Sequence, residues 1–137
     1  MLFKNNEGDQ KKELTKVAAL LIHAAKIDEN FSEKEEILIK KTISDLGAKK
    51  EDIEKIFNEA KEIENSTNQI LDFTKTVKNM SENQKIQIIE SLWRIIYSNE
   101  EADIYETNLM RRLAGLLYID SKIMGGIKEK IKKENIR

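Results

Sequence analysis

The chain has 137 residues, 36% of them charged, a formal net charge of −1, and neither proline nor cysteine. At this length roughly two thirds of the unfolded surface can be buried in one core, and the lack of proline with only five glycines favours helices over a turn-rich β fold. Without cysteine there is no disulfide framework, thiolate nucleophile or soft zinc or iron–sulfur site. The near-neutral charge gives no drive toward phosphate backbones, so no nucleic-acid partner is expected.

The opening MLFKNNEGDQKKELTK carries charges where a signal peptide needs its apolar core, and the run from Val17 to Ala25 is too short to span a bilayer. No membrane span and a cytoplasmic location are therefore expected. Leu14, Val17, Ala18, Leu21, Ile22 and Ala25, at three-four spacing, predict a first helix from about Asp9 to Ile27. After DENFS, the line Glu36, Ile39, Ile43 and Leu46, with Ile37 beside it, predicts a second helix that stops at Gly47, placed as a left-handed C-cap.

EDIEKIFNEAKEI predicts a third helix with Ile53, Ile56, Phe57, Ala60 and Ile63 inward, and NST separates it from a shorter one carrying Ile70, Phe73 and Val77. Ser81-x-x-Gln84 is a capping box ahead of Ile86, Ile89, Leu92, Trp93 and Ile96, a fifth helix ending near Ser98. Leu109, Met110, Leu113, Leu116 and Leu117 mark a sixth. A seventh starts near Asp120, with Ile123, Ile127 and Ile131 around Gly125-Gly126. The basic runs Lys40-Lys41, Arg111-Arg112 and Lys122 to Arg137 are expected to be solvated helix faces.

Shifting the chain by 71 residues places DENFSEKE, 28–35, on NEEADIYE, 99–106. Leu21 then meets Leu92, Ile22 meets Trp93, Leu38 meets Leu109, and Lys40-Lys41 meets Arg111-Arg112. Helix, acidic loop, helix occurs twice, in halves at about 9–47 and 81–118 linked by the helices in 51–79. The expected fold is all-α: a single domain, one compact bundle of about seven helices with an internal pseudo-twofold repeat, burying the two apolar faces against each other. On that arrangement the acidic loops lie close together.

The stretches AALLIHAAKID, S-E-K-E, and LWRIIYSNEEADIYETNLMRRLAGLLYID resemble the tellurite-resistance B-like (TerB-like) family across nearly the whole chain. The resemblance implies a cytosolic, all-helical, pseudo-symmetric protein of stress or tellurite-resistance processes, with acidic loop residues suspected of binding a divalent metal. The family's loops usually read alanine, aspartate, glycine. Here Glu29 and Glu100 replace both glycines and Asn99 replaces the second aspartate, which changes the backbone freedom of both loops.

Asp28, Asn30, Ser32 and Glu35 are hard oxygen donors suited to calcium, magnesium or manganese, and Asn99, Glu101, Asp103 and Glu106 form a second set. The start D-x-N-x-S is similar to an EF-hand, but the required glycine and bidentate glutamate are Glu33 and Ile39. Capping is the competing explanation. Ser32-x-x-Glu35 and Asp103-x-x-Glu106 are both capping boxes, so four of the eight donors need no metal.

His23, the lone histidine, has no second imidazole or thiolate to complete a transition-metal site and is expected at a helix boundary. Trp93 and Tyr97, four apart, are expected to pack in the core. With no glycine-rich phosphate loop and no nucleophile, base and orienter set, a non-enzymatic protein with an unknown protein partner is expected. A metal-independent interaction module and a metal-dependent hydrolase are the alternatives.

Overall fold

Val17 to Ile22, Ala24 and Ala25 are all buried, so the first helix is apolar on every side rather than along one stripe. A helix of that kind belongs in the interior. In the computed structural model, which describes residues 7–26, 31–66, 70–98 and 104–136, helix α1 (Glu7–Ala25) is indeed central and packs on the second, third, fourth and fifth helices.

Those helices are α2 (Glu33–Asp45), α3 (Ile53–Asn65), α4 (Leu71–Lys78) and α5 (Glu82–Tyr97), followed by α6 (Ile104–Leu116) and α7 (Ser121–Ile136). A 3-10 turn at Lys50–Asp52 leads into α3. The described residues contain no strand and no helix long and apolar enough to cross a membrane. The fold is the expected all-α bundle.

The 71-residue offset carries 33–45 onto 104–116, the bounds of α2 and α6, and carries α3 onto 124–136, within α7. The partnerships match: α1 packs most extensively on α3, and α5 on α7. The equivalents α1 and α5 also pack on each other, as a twofold relation between the halves requires. α4 stands between the two sets.

The repeat extends to backbone detail at the ends of α2 and α6. Gly47 N–H donates to Ser44 O at 3.0 Å and Ala48 N–H to Ile43 O at 3.0 Å; Tyr118 N–H donates to Gly115 O at 3.3 Å and Ile119 N–H to Ala114 O at 2.9 Å. Both ends are Schellman-type closures that turn on a left-handed residue. Gly47 has φ 118 and its equivalent Tyr118 has φ 58. Glycine was expected at the first turn; a tyrosine at the second is the less usual choice, because its Cβ crowds the backbone there. Lys85, buried on α5, donates from Nζ to Leu117 O at 3.3 Å and so closes the end of α6 a second time.

Two inward expectations shift by one position. Ile123 is 40% exposed, because the buried line of α7 runs through Met124, Ile127 and Ile131, and a neighbour on a helix points about 100° away. Ile37 is likewise exposed. On α3 the line Ile56, Ala60 continues four residues on to Glu64, which is buried, while Ile63 is only half-buried.

Candidate functional site

Helix α2 begins with the capping box read from the sequence. Ser32 Oγ accepts from Glu35 N–H at 3.1 Å, and Ser32 N–H donates to Glu35 Oε1 at 2.8 Å. The same reciprocal box starts α5, with Ser81 Oγ accepting from Gln84 N–H at 3.2 Å and Ser81 N–H donating to Gln84 Oε1 at 3.2 Å. The two differ in environment. Ser81 and Gln84 lie near the surface, whereas Glu35 is 1% exposed.

The burial of Glu35 comes from the second half of the molecule. Ser98, the C-cap of α5, has its Oγ 3.5 Å from Glu35 Oε2 and 2.6 Å from Ile95 O. Its single proton goes to the nearer carbonyl, so the longer distance records how closely the end of α5 abuts the start of α2. Asn99 follows Ser98 directly, and Asn30 precedes Ser32 by two residues. The bases of both acidic loops therefore meet at one buried carboxylate.

Of the eight expected donors, Ser32 and Glu35 lie together at this junction. Asp28, Asn30, Asn99, Glu101 and Asp103 lie outside the described residues, and Glu106 is placed only as a backbone position in the first turn of α6. The second box, Asp103 to Glu106, lies outside them for the same reason. Among the described residues no cluster of three or more histidine or carboxylate side chains is close enough to hold a metal. What is present is all oxygen, hard-donor chemistry, which fits calcium, magnesium or manganese and not a thiophilic metal.

A second polar feature links α1 to α3 and is repeated between α5 and α7. His23 Nδ1 lies 3.2 Å from Glu64 Oε2, and Lys26 Nζ donates to Glu64 Oε1 at 2.7 Å. Arg94, in the place of His23, grips Glu134 through Nε and Nη2, both at 3.1 Å, one position before the residue that aligns with Glu64, and this contact raises the Arg94 pKa. His23 is thus a boundary residue with a carboxylate partner. Glu64 was not singled out from the sequence, although its place four residues after Ala60 on the apolar line of α3 was the available signal.

Beside this ion pair lies an open cleft of about 1030 Å³ between α1 and α3, with Ile22, Phe31, Asn58, Lys61 and Asn65 in its walls. Phe31 stacks on Phe57 with ring centroids 6.2 Å apart, and Trp93 stacks on Tyr97 at 5.8 Å. The Trp93 indole N–H is buried with no acceptor among the described residues.

Two three-helix halves, α1 to α3 and α5 to α7, with α4 between them, define a pseudo-symmetric all-helical bundle. Residues 14–128 match the family model described as tellurite resistance protein TerB. The chain belongs to the TerB family. No curated protein and no solved structure gives a significant match.

Proposed function

We propose that this TerB-family chain is a non-enzymatic cytoplasmic protein that binds a divalent cation through its two acidic loops, and that cation binding serves a stress or tellurite-resistance process. The observation that carries this is the position of Glu35, a buried carboxylate at which the bases of both loops converge. Burying a carboxylate is costly unless positive charge or hydrogen bonds compensate it. The Ser32 N–H donates to Glu35 Oε1 at 2.8 Å, and a hard cation held by Asp28, Asn30, Glu101 and Asp103 would sit over the junction that Glu35 marks. The cation would add no redox or nucleophilic chemistry; it would fix two loops to each other.

Thermal unfolding of EDTA-stripped protein with calcium, magnesium or manganese tests this. A cation at a hundredfold excess over its dissociation constant stabilises by about 2.7 kcal/mol, a rise of several degrees. Asp28→Asn combined with Glu101→Gln should abolish that rise while leaving the midpoint in EDTA unchanged. If none of the three ions moves the midpoint beyond ionic-strength controls, cation binding is excluded. The metal-independent interaction module would then take its place, favoured by the cleft between α1 and α3.

A further inference from the structure

The two halves fill the space beside their ion pairs differently. Shifted by 71 residues, Ile22 on α1 and Lys26 just after it fall on Trp93 and Tyr97 on α5, Phe57 on α3 falls on Lys128 on α7, and Asn58 falls on Glu129. In the second half α5 contributes both rings, Trp93 2% and Tyr97 6% exposed, with Lys128 Nζ 5.5 Å above the indole. Burial, and after it the charge of Glu129, pushes the Tyr97 phenol pKa up. Tyr97 is thus enclosed, at 6% exposure, and feels the charge of Glu129.

In the first half Phe57 returns one ring to the interior from the α3 side and stacks on Phe31. At the position of Tyr97, however, the residue that follows α1 is Lys26, whose side chain is 42% exposed and reaches out to Glu64. No ring from α1 stands there, and that is where the cleft opens. Its floor is Ile22 and one wall is Phe31. Lys61 Nζ already lies 5.2 Å from the Phe57 ring centroid, so the aromatic wall is flanked by a cation.

We propose that the cleft between α1 and α3 receives an aromatic side chain, a tyrosine by preference, presented by a partner polypeptide. The second half displays the ring that fits: Tyr97 is buried, stacked on Trp93, with Lys128 of α7 over the indole, and the guest would take the corresponding place beside α3. Asn58, in the position of Glu129, offers both a donor and an acceptor to a phenol hydroxyl. Lys26 and Lys61 can each approach a ring face, a favourable cation–π geometry. Opposite charges alternate along the rim, with Lys55 and Lys61 against Glu59 and Glu62, so a peptide without net charge is accepted. The volume exceeds that of one ring and leaves room for the flanking backbone, since drug-sized ligands fill roughly 300–1,000 Å³.

The test uses the full chain, labelled with nitrogen-15 and kept in EDTA so that cation binding plays no part. Two blocked peptides are titrated, Ala-Ala-Tyr-Ala-Ala and its all-alanine counterpart. The tyrosine peptide should shift the amide signals of Phe31, Asn58, Lys61 and Asn65, and the alanine peptide should bind about tenfold more weakly or less, the loss expected when one buried ring is removed. Lys26→Tyr places a ring where α5 has Tyr97 and should abolish the response; because it also removes the Lys26–Glu64 contact, its peptide-free amide spectrum and unfolding midpoint are recorded to check that the fold is retained. Asn58→Trp, at the exposed mouth of the cleft, blocks it from α3 and should do the same. The proposal is overturned by an absent response at millimolar peptide, an equal response to both peptides, or an undiminished response in the two variants. A response to N-acetyltyrosinamide as strong as that to the tyrosine peptide would overturn the polypeptide partner in favour of a small aromatic ligand.

Discussion

Gly47→Ala should lower stability and Tyr118→Gly should leave it nearly unchanged, although the two residues occupy the same place in the repeat. At Gly47, φ is 118, and a left-handed backbone costs an L-residue roughly 1–2 kcal/mol. Reduced freedom of the unfolded chain returns about 0.4–1 kcal/mol to an alanine. A Cβ at Gly47 would stand 2.8 Å from Gln10 Nε2, but Gln10 is exposed and its amide can swing away. Gly47→Ala should therefore lower stability by about 1 kcal/mol, or about 3 °C in midpoint for a domain of this length. At Tyr118, φ is 58 and the same steric cost is already present in the native protein. Glycine there relieves roughly 1–2 kcal/mol and gives back about 0.5–1 kcal/mol in chain entropy. It also forfeits Lys78 Nζ lying 4.9 Å over an exposed ring, about 0.5 kcal/mol at such a site. The net change should be close to zero, between a loss of about 0.5 and a gain of about 1 kcal/mol. Urea unfolding followed by far-UV circular dichroism separates the two variants. A loss of stability in Tyr118→Gly as large as that in Gly47→Ala would refute the reasoning, because the ring would then outweigh the strain it causes.

Two further outcomes follow from the caps and the buried phenol. Ser32→Ala and Ser81→Ala should each lower stability by about 1 kcal/mol in EDTA, measured by urea unfolding; a loss at Ser32 that appears only with added cation would show that Ser32 serves as a ligand and not as a cap. Because the folded-state pKa of Tyr97 is raised, by burial first and Glu129 second, the unfolded chain releases its proton before the folded one does. The native state then holds more protons, so stability falls as pH rises above the ordinary tyrosine value of about 10. Tyr97→Phe should remove that part of the alkaline decline, read as a shallower loss of midpoint with pH.

Periodicity was enough to place the helices, because three-four spacing and caps are local properties. The Ser32 and Ser81 boxes and the turn at Gly47 stand where residue type alone puts them. What periodicity could not convey is which helix lies at the centre. Leu20, Ala19 and Ala24 fall outside the stripe read for α1 and are buried nonetheless, since four helices surround it. The equivalence of α3 and α7 was hidden by exchanges such as Phe57 for Lys128 and Ala60 for Ile131, in which ring and volume pass from one helix to its neighbour. Tyr118 gave no turn signal, because residue preference at a left-handed position points to glycine or asparagine. Glu35 was legible as a cap but not as a buried group, since its burial depends on Ser98, 63 residues away.

The two places where this chain departs from a symmetric repeat adjoin each other. Asn30, Phe31 and Ser32 are consecutive: the first belongs to the proposed cation donors, the second walls the cleft and stacks on Phe57, and the third caps α2 over Glu35. In the second half the corresponding place carries a buried ring from α5 itself, Tyr97, stacked on Trp93. In the first half, a ligand in the cleft and a cation in the loop would both act on the backbone at Phe31. Binding free energies are reciprocal, so whatever preference the cation has for one placement of Phe31 must reappear, with the same magnitude, in the affinity of the cleft for its guest. A frame built twice thus fills one half with the Tyr97 ring and leaves an open cleft in the other, which a cation bound as proposed would adjust.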